Sequence, residues 1–271
     1  MDPDTQGSPN QTKQTVQRLS ATIGPSAVLV LLPDPVTPFR DAAYSQAQSF
    51  VLDPGPSSTH LPLSACENEI TDADGVDTDG GSLVLLDWCT SGRMARGEEW
   101  CFTRYRSINE VHIGSERVAR DVLLLSQQQP ASSPFPTTTT TNNNNNNDNN
   151  NNTTVPPRTR TLRPRTLADT LAPYACYATL LLAGPATAAL AADLASAYDG
   201  IRQMQVRRGR GDLGDNDPLL LLWSLSPLAD GRGCIVRVAG VETDGVRAWL
   251  REHLRGLEAV IGRDAYARAF V

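Results

Sequence analysis

The sequence predicts a mainly β fold that ends with two α-helices. Two observations predict the strands: segments that alternate apolar and polar residues, such as "VQRLSATI" and "AAYSQAQSFVL", and short unbroken apolar runs such as "AVLVLL". A third predicts the helices: toward the C-terminus, apolar residues recur at spacings of three and four.

Taken in order, residues 1–15 are polar and are expected to be a disordered N-terminus. Residues 16–23 and 27–32 read as strands joined by a Gly24-Pro25 turn. The segment "PDPVTPF" (33–39) has three prolines in seven residues, which excludes a helix interior and a central strand. Residues 42–52 alternate again. Residues 54–80 read as an inserted acidic loop. Its Asp72, Asp74 and Asp77 have a faint EF-hand spacing, but the glycine is misplaced and no glutamate stands at the twelfth position. Strands are expected at 82–88, 99–105, 108–113 and 118–125, the last two joined as a hairpin by "GSE". Residues 127–165 contain Gln, Thr and Asn repeats that bury too little apolar surface to offset ordering entropy, so this insertion is expected to be disordered.

After that insertion the rhythm changes. Residues 177–182 read as a strand and 186–204 as a helix, with Leu190, Leu194, Ala197 and Ile201 on one face. Strands at 219–225 and 234–238 flank an "LADGRG" turn. A second helix is expected at 244–261, with Val246, Trp249, Leu250, Leu254, Leu257 and Ile261 inward and Thr243 as N-cap. This makes a long antiparallel β section with a β-α-β-β-α tail, in one domain spanning 16–271. The charge-free run 175–192 approaches the roughly 20 residues of a bilayer span, but Gly184-Pro185 divides it into strand, turn and helix.

Composition narrows the function. The chain has 271 residues and a net charge of -6, which disfavours general nucleic-acid binding. Five cysteines without a C-x-x-C pair argue against a disulfide framework and a zinc ribbon, and fit a reducing compartment. His60, His112 and His253 have no metal-ligand spacing. No nucleophile elbow, Walker loop or dinucleotide fingerprint occurs. The stretch "GSLVLLDWCTSGRMARGEEW" is unusual: it crowds Asp87, Arg93, Arg96, Glu98 and Glu99 around two tryptophans just after an apolar run. A charged turn between strands accounts for it. A catalytic carboxylate pair, Asp87 with Glu98, is the hydrolytic alternative, but the sequence shows no other member of such a site.

The longer segment "SLVLLDWCTSGRMARGEEWCFTRYRSINEV" closely resembles the signature region of the urease accessory protein D family (UreD, also UreH). "LLPDPVTPFRDAAYSQAQSFVL", "LAPYACYATLLLAGP", "WSLSPLADGRGCIVRVAG" and "IGRDAYARAF" resemble its other sections, so the resemblance covers most of the chain from Val16 onward. It implies an elongated, stacked antiparallel β architecture wound like a helix, with two C-terminal α-helices. It implies a non-enzymatic, cytoplasmic maturation scaffold. Such a scaffold would bind apo-urease with UreF-type and UreG-type accessory proteins and pass nickel through an interior tunnel. Nickel would be transient, with no permanent cofactor, and neither nucleic acid nor membrane would be a partner. The residues matching the family pattern are Asp87, Trp88, Ser91, Gly92, Arg93, Arg96, Gly97, Glu98 and Trp100, expected to serve structure and docking. Arg–carboxylate forks would fix the returning strand, and weak oxygen ligands would suit a passing metal. "TQGS" (5–8) resembles the tail of a family motif that normally follows further strands, so a truncated, non-functional product is the alternative expectation.

Overall fold

The computed structural model describes residues 14–55, 79–127, 165–208 and 220–270. Residues 1–13 of the expected disordered N-terminus, most of the acidic loop, the Asn/Thr tract and the polar loop before residue 220 lie outside these residues, whereas Gln14 and Thr15, also expected to be disordered, open the first strand.

The chain winds between two sheets. β1 (Gln14–Ile23), β3 (Ala43–Leu52) and β5 (Arg104–Ile113) fall in the first sheet; β2 (Val28–Leu31) and β4 (Ser82–Thr90) fall in the second. β6 (Glu116–Ser126) closes the first sheet, in the order β1-β3-β5-β6. β7 (Cys176–Ala183), β8 (Leu221–Pro227) and β9 (Gly233–Gly240) complete the second, in the order β2-β4-β7-β9-β8. The mainly β expectation holds, with helices toward the C-terminus. The antiparallel expectation needs correction: β1–β3, β3–β5 and β2–β4 are parallel. A chain that crosses to the opposite sheet after each strand comes back running the same way. Only the hairpin and the later strands reverse direction. The hairpin β5–β6 turns at Gly114, whose φ of 57° suits a tight turn.

Burial explains the sequence pattern. Every residue of β4 is buried. Leu83 and Leu85 face the first sheet and pack with Phe50, Leu52, Val111 and Leu181. Val84, Leu86 and Trp88 face the other way, against Leu190 and Leu194 of α2 (Ala188–Arg208) and Val246, Trp249 and Leu250 of α3 (Thr243–His253). A strand covered on both faces reads as one apolar run. Residues 175–192 form strand, Gly184 turn and helix as expected, and no helix among the described residues is long and apolar enough to cross a membrane.

Several element boundaries differ from expectation. Residues 99–103 are a connection rather than strand, and one continuous β5 starts at Arg104, because Trp100 adopts φ 50°. The helix expected at 244–261 stops at His253 and gives way to a 3-10 turn, Arg255–Leu257, then α4 (Glu258–Ile261) and α5 (Arg263–Ala269). Gly256 inside that turn weakens helix propagation. The N-cap of α3 is Glu242, so Thr243 is its first residue. The short α1 (Leu167–Leu171) was not predicted. Thr166 and Asp169 cap it reciprocally, each backbone N–H donating to the other's side chain.

Two-sided burial of β4 sets an expectation for stability. Leu85→Ala and Leu86→Ala, on opposite faces, should each cost about 2–5 kcal/mol in urea denaturation. Val16→Thr, at a position 48% exposed on β1, should change stability by less than about 0.5 kcal/mol.

Candidate functional site

The apolar interior between the sheets is interrupted. Along β4 the inward positions run Leu83, Leu85, Asp87, Cys89, and the two ends belong to different apolar clusters. Every strand facing Asp87 changes character at the same level. In the first sheet, Gln48, Asn109 and Asp121 are register partners across β3, β5 and β6. In the second, Asp87, Thr179, Arg237 and Ser224 are register partners across β4, β7, β9 and β8. Together with Gln46 and Ser107, one step along, they form a polar layer across the sandwich.

Hydrogen bonds across the layer join the sheets. Asp87, 8% exposed, accepts from Ser107 Oγ at 2.5 Å, Asn109 Nδ2 at 2.7 Å and Gln46 Nε2 at 3.2 Å. Among the described residues no cation touches it. A buried carboxylate without a counter-charge is costly, and burial raises the Asp87 pKa. The bonds from Ser107 and Asn109 pull it back, and the nearby Asp121 charge pushes it up. Asp121, 5% exposed, accepts from Thr179 Oγ1 at 3.2 Å and pairs with Arg237 at 2.5 Å. Two acceptors are left over: among the described residues, Asn109 Oδ1 and Gln48 Oε1 are buried with no donor. An oxygen left so usually costs about 1–3 kcal/mol.

The signature turn lies at the outer end of β4. Its backbone is tied on both sides: Thr90 N–H donates to Val36 and Ser91 N–H to Ala175, while Ser91 accepts from Trp100 N–H. A one-turn 3-10 segment, Met94–Arg96, ends at Gly97 with φ 65°. Gly92, at φ 133°, leaves no room for a side chain, because a Cβ there would strike the Glu98 carbonyl. Arg93 forks onto Glu98 at 2.7 and 2.8 Å, and Glu98 also accepts from Arg40 N–H. These bonds hold the Glu98 carboxyl below its usual pKa. Arg96 is exposed and makes no side-chain bond or ion pair with the described residues. Trp88 donates to the Pro33 carbonyl at 2.7 Å and lies under the Arg247 guanidinium. Trp100 packs edge-on against Phe102 and Tyr177.

The structure therefore does not bring Asp87 and Glu98 together: one lies inside the sandwich, the other on the turn. Sequence reasoning missed Gln46, Gln48, Ser107, Asn109, Asp121, Thr179 and Arg237. The available signal was polar residues at the period-two positions that carry Phe50, Val111 and Leu181 elsewhere on the same strands. Among the described residues no three His, Cys, Asp or Glu side chains form a metal cluster. His253 stacks on Trp249. Cys176 and Cys234 are buried, with thiol pKa values pushed up to about 11 by burial, so neither is a ready nucleophile.

Comparison with known proteins covers this region of the chain. The family of the UreD urease accessory protein matches residues 76–142, which include β4, the signature turn, and β5 and β6. Urease accessory protein 4 of Cryptococcus neoformans var. grubii is 30% identical over 268 residues, 96% of this chain. The family match and this relative alike point to the UreD family. Urease accessory protein D of Arabidopsis thaliana is 27% identical over 94% of this chain, and UreD of Anaeromyxobacter sp. 29% over 93%. The chain spans 63% of the length of the Cryptococcus protein, 71% of the Arabidopsis one and 60% of the bacterial UreD.

The raised Asp87 pKa makes a signed prediction. The folded state holds this proton more tightly than the unfolded chain. Nothing is lost below the ordinary carboxylate range, and stability falls as pH rises from there through the raised folded value. Urea denaturation of wild type and Asp87→Asn between pH 4 and 7 should show the wild type losing stability relative to the variant as pH rises. A flat or opposite difference would contradict the burial argument.

Proposed function

We propose that this chain is a urease maturation scaffold with no turnover of its own, acting in the cytoplasm. It joins apo-urease to UreF-type and UreG-type proteins, and its polar layer gives nickel a path between the sheets. The observation that carries this reading is a UreD-family chain whose interior holds a continuous oxygen-rich layer, where a core built only for stability would be apolar. Carboxylate, hydroxyl and amide oxygens bind nickel weakly enough for release, whereas clustered histidines or cysteines would trap it. Asp87 is the central oxygen donor of that path. The signature turn serves docking: Arg93 and Glu98 lock its shape while Phe39, Met94 and Arg96 stay exposed at its surface. The hydrolase reading, which needs Asp87 beside Glu98, draws no support from this geometry.

Complementation tests the proposal. Cells lacking only their own UreD-type protein, supplied with this chain and nickel, should regain urease activity. Asp87→Ala should abolish that gain while the variant still co-purifies with the UreF-type partner. Arg93→Ala should weaken co-purification. Failure of soluble wild-type chain to restore activity would overturn the scaffold reading in favour of a non-functional product.

A further inference from the structure

The polar layer does not end inside the protein. β6 is the edge of the first sheet, but the second sheet carries on past β7 with β9 and β8. Where it overhangs there is a cavity of about 440 Å³, whose lining includes Asp121, Tyr177, Thr179, Leu222, Ser224 and Arg237. The two members of the ion pair differ in access. The Asp121 side chain is 7% exposed, whereas that of Arg237 is 49% exposed. The carboxylate belongs to the interior, and the guanidinium covers it from the solvent side.

We infer that Arg237 is a displaceable plug, closing a side mouth of the polar layer at Asp121 until a divalent cation takes its place. The nickel passage proposed above supplies only the identity of the cation. Three observations support the assignment. Arg237 lies in the same register row as Asp87 and Thr179, so it stands in line with the layer. Its half-exposed side chain can swing into the cavity without unpacking the core. Behind it lie acceptors its single charge does not satisfy: Asp87, Asn109 Oδ1 and Gln48 Oε1. A divalent ion brings twice the charge and can gather several oxygens at once. If Arg237 served only to neutralise Asp121, removing it would weaken the fold and leave metal binding unchanged.

Calorimetric titration of the full chain with nickel chloride separates the two roles. Arg237→Gln should bind nickel roughly 10-fold more tightly than wild type, since the arginine no longer competes for Asp121. The double variant Arg237→Gln with Asp121→Asn should lose that gain. Arg237→Lys, which keeps the charge but has a shorter reach, should show a smaller gain and serves as the test if Arg237→Gln does not fold. Unchanged affinity in the folded arginine variants, or a gain that survives loss of Asp121, would overturn the plug. The passage itself stands or falls on whether urease activation needs Asp87, so a plug that behaves as expected beside an Asp87-independent activation would refute only the passage.

Discussion

The buried carboxylate of Asp87 is the constraint around which the sandwich is organised. It sits in a strand buried at every position, so its charge has no route to water along its own strand. The chain answers with neutral donors, Ser107, Asn109 and Gln46, drawn from the opposite sheet. Each of these needs a level of the first sheet at which apolar packing is given up. Since adjacent strands are in register, one polar side chain on β4 propagates sideways into a layer.

That layer has consequences for cohesion. Above and below it the sheets adhere through side chains such as Leu85, Leu181 and Phe50 at one end, and Trp100, Phe102 and Tyr105 at the other. Within it they adhere through hydrogen bonds, which contribute less net stability per residue than apolar burial. The fold tolerates this because the second sheet has another partner. Leu86, Leu180 and Val236 on its far face pack against α2 and α3, so β4 and β7 stay anchored even where the inner face is polar.

Much of the fold was legible, and the reason is periodicity. The strands at 16–23 and 42–52 and the helix at 186–204 each carry a clear repeat, and the strand at 82–88 shows as an unbroken apolar run. The parallel pairing was not legible, because alternation fixes which side chains share a face but not which strand lies alongside. The site was half legible. Asp87 and the signature turn stood out by residue type and by resemblance. Gln46 and Gln48 did not: in "AYSQAQSFVL" they alternate with Ala47 and Ser49, and either set could face water. Only the register with Ser107 and Asn109 settles that the glutamines point inward. Arg237 was hidden for a different reason. On an otherwise apolar strand, a lone arginine reads as a solvent-facing residue, which for half of its surface it is.

The layer and the signature turn share β4, yet they hold together by separate means. Asp87 is fixed by bonds between the sheets. The turn is fixed by its own fork, Arg93 to Glu98, and by backbone bonds to Val36 and Ala175 on either side. Those backbone bonds carry much of the separation. They grip Thr90 and Ser91, between Asp87 and Arg93, so a rearrangement of the charged turn meets two fixed points before it reaches the carboxylate. The locked turn and the polar interior can therefore adjoin without disturbing each other, because the strand between them is clamped from both edges.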